Sequence, residues 1–263
     1  MKIASWNINS LRKRQDQLFE WLATSAPDVV CLQETKCPDD QFPVLALQAA
    51  GYHSVYHGEK SYNGVAIFSK AEPREVRVSL CDEVDDPQAR VISATIDGVR
   101  VYSVYAPNGQ AVGSPAYEYK LKWYDRLAEC IQRELSGTAT GHVDLVVCGD
   151  FNVAPEDIDV HDPALWRGAI MCSDDERAAF AKLCGIGLVD TLRLHHHEPG
   201  MFTWWDYRML AFQKNRGLRI DAILASKAMA KRCVAAGIDR DLRKGKEPSD
   251  HAPIWAEFSN ADR

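Results

Sequence analysis

The sequence predicts an α/β (α+β) chain in which two sheets pack face to face with helices on the outside. Two observations carry this. Short apolar or alternating runs recur from end to end: KIASWNI, DVVCLQE, GVAIFS, REVRVSL, RVISATI, VRVYSVY, DLVVCGD, LRIDAILA and PIWAEF. Most are too short for helices, and the alternating ones read as half-buried strands. Residues 64–105 are nearly all strand joined by short turns. That fits antiparallel pairing better than strand–helix–strand repetition, so a doubly wound parallel sheet accounts for less of the chain.

Taken in order, KIASWNI opens the chain as a strand. Helical spacing of apolar residues follows in QDQLFEWLATS. Asp97-Gly98, between two alternating runs, marks a hairpin turn. YEYKLKWYDRLAECIQREL reads as a long helix ending near Gly137, and DERAAFAKLCGIG as a second. KAMAKRCVAAG has helical spacing up to Gly237. No low-complexity stretch or long Gly/Ser/Pro linker divides the 263 residues, so residues 1–263 are expected to form one domain.

Composition is that of a globular protein, 46% hydrophobic and 26% charged. No apolar run approaches the ~20 residues of a membrane span. MKIASWNINS has neither the apolar core nor the cleavage site of a signal peptide, and a cytoplasmic location is expected. None of the 8 cysteines forms a CxxC pair, and Cys31, Cys148, Cys184 and Cys233 sit in apolar segments. Free buried thiols in a reducing cytosol are expected, rather than a disulfide frame or a zinc site. The net charge of −6 weighs against a broad nucleic-acid-binding surface but leaves room for a local basic patch.

Chemically able residues collect at strand ends. KIASWNIN ends at Asn7 and Asn9, DVVCLQE at Gln33-Glu34, VRVYSVY at Tyr105 with Asn108 just beyond, and DLVVCGDFN at Asp150 and Asn152. Asp250-His251 precede the last strand. Any one of these alone is more simply a turn former. Asp221 is different: it stands inside an apolar run, where an unpaired carboxylate costs several kcal/mol. It needs a partner, and His251 is the best candidate, since a buried carboxylate fixes an imidazole's tautomer. Glu34, Asp150, Asp221 and Asp250, with the amides Asn7 and Asn152, make a set rich in hard oxygen ligands, suited to Mg²⁺ or Mn²⁺ rather than zinc. Neither a GxxxxGK[ST] loop nor a GxSxG elbow is present. What remains is metal-assisted phosphoester hydrolysis: a carboxylate activates water, a metal and a histidine stabilise phosphoryl charge, and a phenol such as Tyr105 assists the leaving oxygen. In an extended chain Asp150 and Asn152 would face the same way toward one phosphate, with Gly149 giving the backbone room to turn.

The motifs WNINSLR, LQETK, YNGVAIFSK, YAPNG, GDFNVAP, WWDYR…NRGLRIDAILAS and PSDHAPIWAEF cover nearly the whole chain. In content and order they resemble the exonuclease III / apurinic-apyrimidinic endonuclease family, within the endonuclease/exonuclease/phosphatase superfamily. The resemblance implies a four-layer αββα sandwich of two mainly antiparallel sheets (DNase I-like), with the site at one end. It also implies a Mg²⁺-dependent DNA-repair phosphodiesterase (Mn²⁺ as the alternative ion). Its substrate would be double-stranded DNA with abasic sites or 3′ ends, and it would act as a monomer. By the same resemblance Glu34 is the main metal ligand with Asn7 and Asp250 close by. Asp150, oriented by Asn152, activates water or serves as a further ligand. Tyr105 lies near the leaving group or phosphate, and the Asp221–His251 pair contacts the scissile phosphate.

Trp204, Leu218 and Ile220 would line an apolar pocket for a flipped-out abasic sugar. Arg208, Lys214, Arg216 and Arg219 would supply the local basic patch, with Asn108 and Lys120 as further DNA contacts. A departure is the bulk of Trp166-Arg167 near the expected substrate strand; bulk there bears on the choice between 3′ ends and internal abasic sites, and the sequence does not rank the two. His195-His196-His197 reads as a surface tract. Two other readings stay open: a lipid or inositol phosphate hydrolase, and a non-catalytic DNA-binding member. The complete set of catalytic groups weighs against the second.

Overall fold

The computed structural model describes residues 1–84, 86–137 and 143–260. The chain runs β1 (Lys2–Asn7), α1 (Leu11–Ser25), β2 (Val29–Gln33), α2 (Val44–Ala49), β3 (His53–His57), β4 (Val65–Ser69), β5 (Arg74–Arg77), β6 (Val91–Ile96) and β7 (Val99–Tyr105). Then follow α3 (Pro115–Ser136), β8 (Leu145–Asp150), α4 (Pro163–Trp166), α5 (Asp174–Gly185), β9 (Leu188–Asp190), α6 (Thr191–His195), β10 (Asp221–Ser226), α7 (Lys227–Ala230), β11 (Cys233–Ile238) and β12 (Ile254–Phe258).

Two six-stranded sheets result, ordered β11-β12-β1-β2-β4-β3 and β5-β6-β7-β8-β10-β9. Pairing is antiparallel except at β1–β2 and β7–β8. Strand alternation explains the layers. In β8, Val146 and Cys148 point between the sheets, while Leu145 and Val147 meet α3 and α5 outside. In β1, Ile3 faces the other sheet while Ala4 and Trp6 pack under α1. Strands buried on both faces read as continuous apolar runs, which is why DLVVCGD shows no polar alternation. Three apolar layers therefore separate four layers of structure, the expected sandwich. Truncating a large side chain in any of them costs about 2–5 kcal/mol.

Local chemistry fixes the helix ends. Ser114 caps α3 through Tyr117 N, with Pro115 in the first turn, and Gly137 closes it. Ser173 and Glu176 form a capping box on α5. Asp97 and Gly98, both at positive φ, make the expected hairpin between β6 and β7.

Two expectations are corrected. Helical KAMAKRCVAAG stops at Ala230; Cys233–Ile238 is instead an edge strand paired with β12. Its small and β-branched residues fit either period, and the free edge of β12 decides. Gly237 is thus a strand residue lying against the Trp255 ring, not a helix end. Nor are all thiols free. Cys81, in the loop after β5, is bonded to Cys130 on α3, with Cα atoms 4.9 Å apart. The other six cysteines are free. No helix is long and apolar enough to cross a membrane among the described residues.

Candidate active site

Three neighbouring strands bring three reactive side chains into a row. Tyr105 on β7 is in register with Asp150 on β8, and Asp150 with Asp221 on β10. Opposite them, β1 ends at Asn7 beside Gln33, the last residue of β2 before Glu34, and His251 sits just ahead of β12. Below, a buried polar layer links the sheets: Gln33 donates to Ser5 and Ser103 hydroxyls at 3.1 Å each. This layer separates the apolar core from the charged end above it.

The contacts converge on Asp150, which is 1% exposed. Asn7 Nδ2 donates to Asp150 Oδ2 at 2.9 Å and to Glu34 Oε1 at 2.8 Å, crossing between the sheets. His251 Nδ1 meets Asp221 Oδ2 at 2.8 Å, and His251 Nε2 lies 3.7 Å from Asp150 Oδ2. The imidazole is therefore held between two carboxylates. Burial pushes His251 down, but Asp221 and Asp150 outweigh it and raise the ring to about 10. Burial pushes Asp150 up; the nearby imidazole opposes this, Asp221 adds to it, and the carboxyl is raised to about 7. Tyr105 is held well above the usual phenol range, by burial first and then by the charges of Glu34 and Asp150. Arg90 stacks on the Tyr105 ring at 4.7 Å.

A hard cation fits here between carboxylates: Glu34 and Asp150 place oxygens within 4.8 Å of one another, while the protonated His251 beside them is a donor and not a ligand. Two carboxylates thus approach one another with incomplete compensation, and Asp221 Oδ1 has no donor among the described residues. The backbone is strained around them: Asn9, Ser10, Glu34, Lys36 and Asn152 all have positive φ. Each costs an L residue roughly 1–2 kcal/mol, and such residues cluster at functional sites.

The other expected residues divide. Asp250 lies outside the Glu34–Asp150–His251 group; its oxygens accept from Asn9 Nδ2 at 2.9 Å and Trp204 Nε1 at 3.0 Å. Asn152 is not extended beyond Asp150. At φ 51° it turns back, its N–H bonding Asp150 Oδ1 at 2.9 Å, so the shared facing expected from the two-residue spacing stops at Asp150. The Asn152 amide instead holds Ala106 O and Asn108 Nδ2 at 2.9 and 3.2 Å. Asn108 thus serves this loop tie rather than standing free. Gly149 is there for close approach, not turning: a Cβ would lie 1.9 Å from Val104 O on β7.

Leu218 and Ile220 are 0% and 2% exposed and do not line the groove beside them. Trp166 and Trp204 pack against the buried cluster that contains them, and the open groove, of about 430 Å³, is bounded by Trp166, Trp204, Arg208 and Arg216 among others. Arg208, Lys214 and Arg216 are exposed, as a basic patch requires. Arg219 leaves it: 1% exposed, it is bound to Asp159 and Asp190. Lys120 leaves too, being fully buried against Glu176. Of the histidine tract, His195 and His197 are exposed, while His196 bonds Glu198 and Ala236 O.

Sequence reasoning left Lys36, Arg14 and Arg243 without a role. Lys36 pairs with Glu34 at 2.8 Å and donates to Asn9 Oδ1 at 2.7 Å; its place in LQETK, two residues past Glu34, was the available signal. Arg14 and Arg243 grip carbonyls of Glu247, Pro248 and Ser249, steadying the loop that delivers Asp250 and His251.

Residues 4–251 match the model of the endonuclease/exonuclease/phosphatase family. The chain is 38% identical to exodeoxyribonuclease III of Haemophilus influenzae, over 98% of this chain and all of that one. Among solved structures it is similar to the 3′ phosphatase NExo from Neisseria bound to a product DNA hairpin. Identity there is 47%, the TM-score 0.95, and coverage 98% of this chain and 99% of that one. It is also similar to an AP endonuclease from Archaeoglobus fulgidus, with 40% identity, a TM-score of 0.93, and coverage of 99% and 100%.

Proposed function

Because the chain belongs to the endonuclease/exonuclease/phosphatase family, we propose that it is a Mg²⁺-dependent DNA-repair phosphodiesterase, working on 3′ ends in preference to internal abasic sites. The observation that carries the chemistry is the convergence of Glu34, Asp150, Asp221 and His251 at one end of the paired sheets. The relatives named for exodeoxyribonuclease, 3′ phosphatase and AP endonuclease activity support DNA as the substrate.

Glu34 and the Asp150 carboxylate would hold Mg²⁺, which supplies positive charge for phosphoryl oxygens when bound. The chain's own groups do the rest. Asp150, fixed by the Asn7 amide and facing His251 Nε2 at 3.7 Å, is placed to orient the attacking water and take its proton. His251, kept protonated and oriented by Asp221, offers Nε2–H to a phosphoryl oxygen. Tyr105, held protonated, offers its hydroxyl to the phosphate or the leaving oxygen.

The preference for 3′ ends rests on Trp166. A flipped sugar needs the apolar surface of Leu218 and Ile220, and Trp166 packs against the buried cluster that contains both. The test offers purified protein a recessed 3′ end, a 3′-phosphate end, an internal abasic duplex and an inositol phosphate, with Mg²⁺ and then with EDTA. EDTA-sensitive removal at 3′ ends, faster than abasic incision, is expected. Absence of EDTA-sensitive cleavage of any DNA overturns the reading, as does faster turnover of the inositol phosphate. Trp166→Ala should raise abasic incision relative to 3′-end removal; an unchanged ratio removes Trp166 from the specificity.

A further inference from the structure

Lys120 and Glu176 form an ion pair with no exposed side chain at either partner. The ammonium makes three contacts: Asn152 O at 2.7 Å, Asn108 O at 3.1 Å and Glu176 Oε1 at 2.5 Å. Three acceptors call for three N–H donors, so the amine is held as the cation. Glu176 cannot swing away, since it also accepts from Met171 N at 3.0 Å and from Ser173 N and Oγ at 3.1 and 2.6 Å.

The two carbonyls belong to the two loops that carry reacting groups. Asn108 follows Tyr105 by three residues, and Asn152 follows Asp150 by two. A backbone bond, Ala106 N to Asp150 O at 2.8 Å, already runs between these loops. One turn further along α3, on the same face, Tyr124 donates its hydroxyl to Phe151 O at 2.5 Å. The helix thus catches the consecutive carbonyls of Phe151 and Asn152, in a turn that holds Asn152 at a costly positive φ. An apolar pair of similar volume commonly does as well as a buried ion pair, so what the ammonium adds here is its hold on these carbonyls. Such a pair would leave two buried carbonyls without donors.

We propose that Lys120 and Tyr124 are positioning residues: together, with Glu176 anchoring the ammonium, they clamp the Tyr105–Asn108 and Asp150–Asn152 loops and set the aim of Asp150 without touching DNA. The proposal rests on the phosphodiesterase reading of the same site. Its test is the Lys120→Met/Glu176→Gln double variant, which leaves no lone buried charge and keeps one amide oxygen to accept from Ser173 N and Oγ, although the Met171 N–H loses its acceptor. Misplacement of a reacting group by ~1 Å can cost 10²-fold. On a recessed 3′ end, kcat is expected to fall about 10- to 100-fold, with KM and DNA Kd nearly unchanged and the circular dichroism spectrum retained. Tyr124→Phe, which deletes one hydroxyl, should lower kcat by a smaller factor with the same unchanged KM.

Wild-type kcat in the folded double variant overturns the clamp, and so does unchanged kcat with weakened DNA binding. If the double variant does not fold, Tyr124→Phe at wild-type kcat overturns it. Wild type and Asp150→Asn run alongside. Inactive wild type defeats the phosphodiesterase reading itself, whereas active wild type beside an equally active double variant defeats only the clamp.

Discussion

Asp150 and Asp159 are both buried aspartates, 1% and 0% exposed, and their surroundings differ completely. Asp159 receives Arg219 through two bonds, at 2.6 and 3.0 Å, and Arg193 through a third. Arg219 is shared with Asp190 at 2.7 Å. Burial pushes Asp159 up, but the two guanidinium groups outweigh it and hold the carboxyl below the usual range. Asp150 has an asparagine amide, a backbone N–H and an imidazole 3.7 Å away, with Asp221 adding charge of its own sign. It is raised to about 7. Burial of a carboxylate therefore says little about function. Incomplete compensation of the buried charge says much more, because a cation or a transferred proton then has something to supply. The fully compensated network does a different job: it fixes the 217–220 segment, whose Leu218 and Ile220 underlie the groove.

The largest effect that breaks or upholds this comparison comes from matched substitutions. Asp150→Asn should lower kcat by about 10³-fold or more, the scale of losing a catalytic proton-transfer group, with the melting temperature retained. Asp159→Asn should do the reverse. Removing the carboxylate that buried Arg219 shares with Asp190 and that half-buried Arg193 also uses costs about 3–5 kcal/mol, while kcat per folded molecule stays within a few-fold. Kinetics with Mg²⁺ and denaturant titration of both variants check this. A folded Asp159→Asn protein as inactive as Asp150→Asn would erase the distinction.

The two carboxyls also predict pH dependences of opposite sign. Asp159 is lowered in the fold, so its contribution to stability is present above the ordinary carboxylate range. That contribution is lost as pH falls through the lowered value. Asp150 is raised, so without metal its contribution is full at acid pH and is lost as pH rises through about 7. In EDTA, Asp150→Asn should therefore gain stability relative to wild type between pH 5 and pH 8, and Mg²⁺ should shrink that gain. Thermal melts at the two pH values measure it; a difference independent of pH and of Mg²⁺ contradicts the assigned charge state.

The same contrast explains what the sequence disclosed. The Asp221–His251 pair was legible although 30 residues separate its members, because a carboxylate inside an apolar run demands a partner and few imidazoles were available. The strand-end clustering was legible because both sheets bury nearly every other position. Lys120 and Arg219 were misplaced because residue type alone signals a solvated surface. Their partners lie 56 and 60 residues away, and nothing in DERAAF or PEDIDV marks those acids as buried. The Cys81–Cys130 bond, 49 residues apart, was hidden in the same way. Asn152 was misread for a local reason: the extended spacing rule holds only while the strand lasts, and β8 stops at Asp150.

The smallest expected effect concerns the guanidinium groups themselves. Arg216 is exposed at the groove and Arg219, three residues further on, is buried, so the pair separates a charge that meets solvent from one that does not. An exposed cation that neutralises one phosphate contributes about 0.9 to the slope of log K against log salt. Arg216→Ala should weaken DNA binding modestly and lower that slope by roughly this amount. Arg219→Met should leave the slope of the folded protein unchanged, and its cost should appear in stability instead, since Asp159 and Asp190 lose their shared partner. Binding titrations across a salt series on both variants decide the matter. Equal slopes for Arg216→Ala and wild type would mean that the exposed arginine faces no phosphate, and that the basic patch must be sought in Arg208 and Lys214.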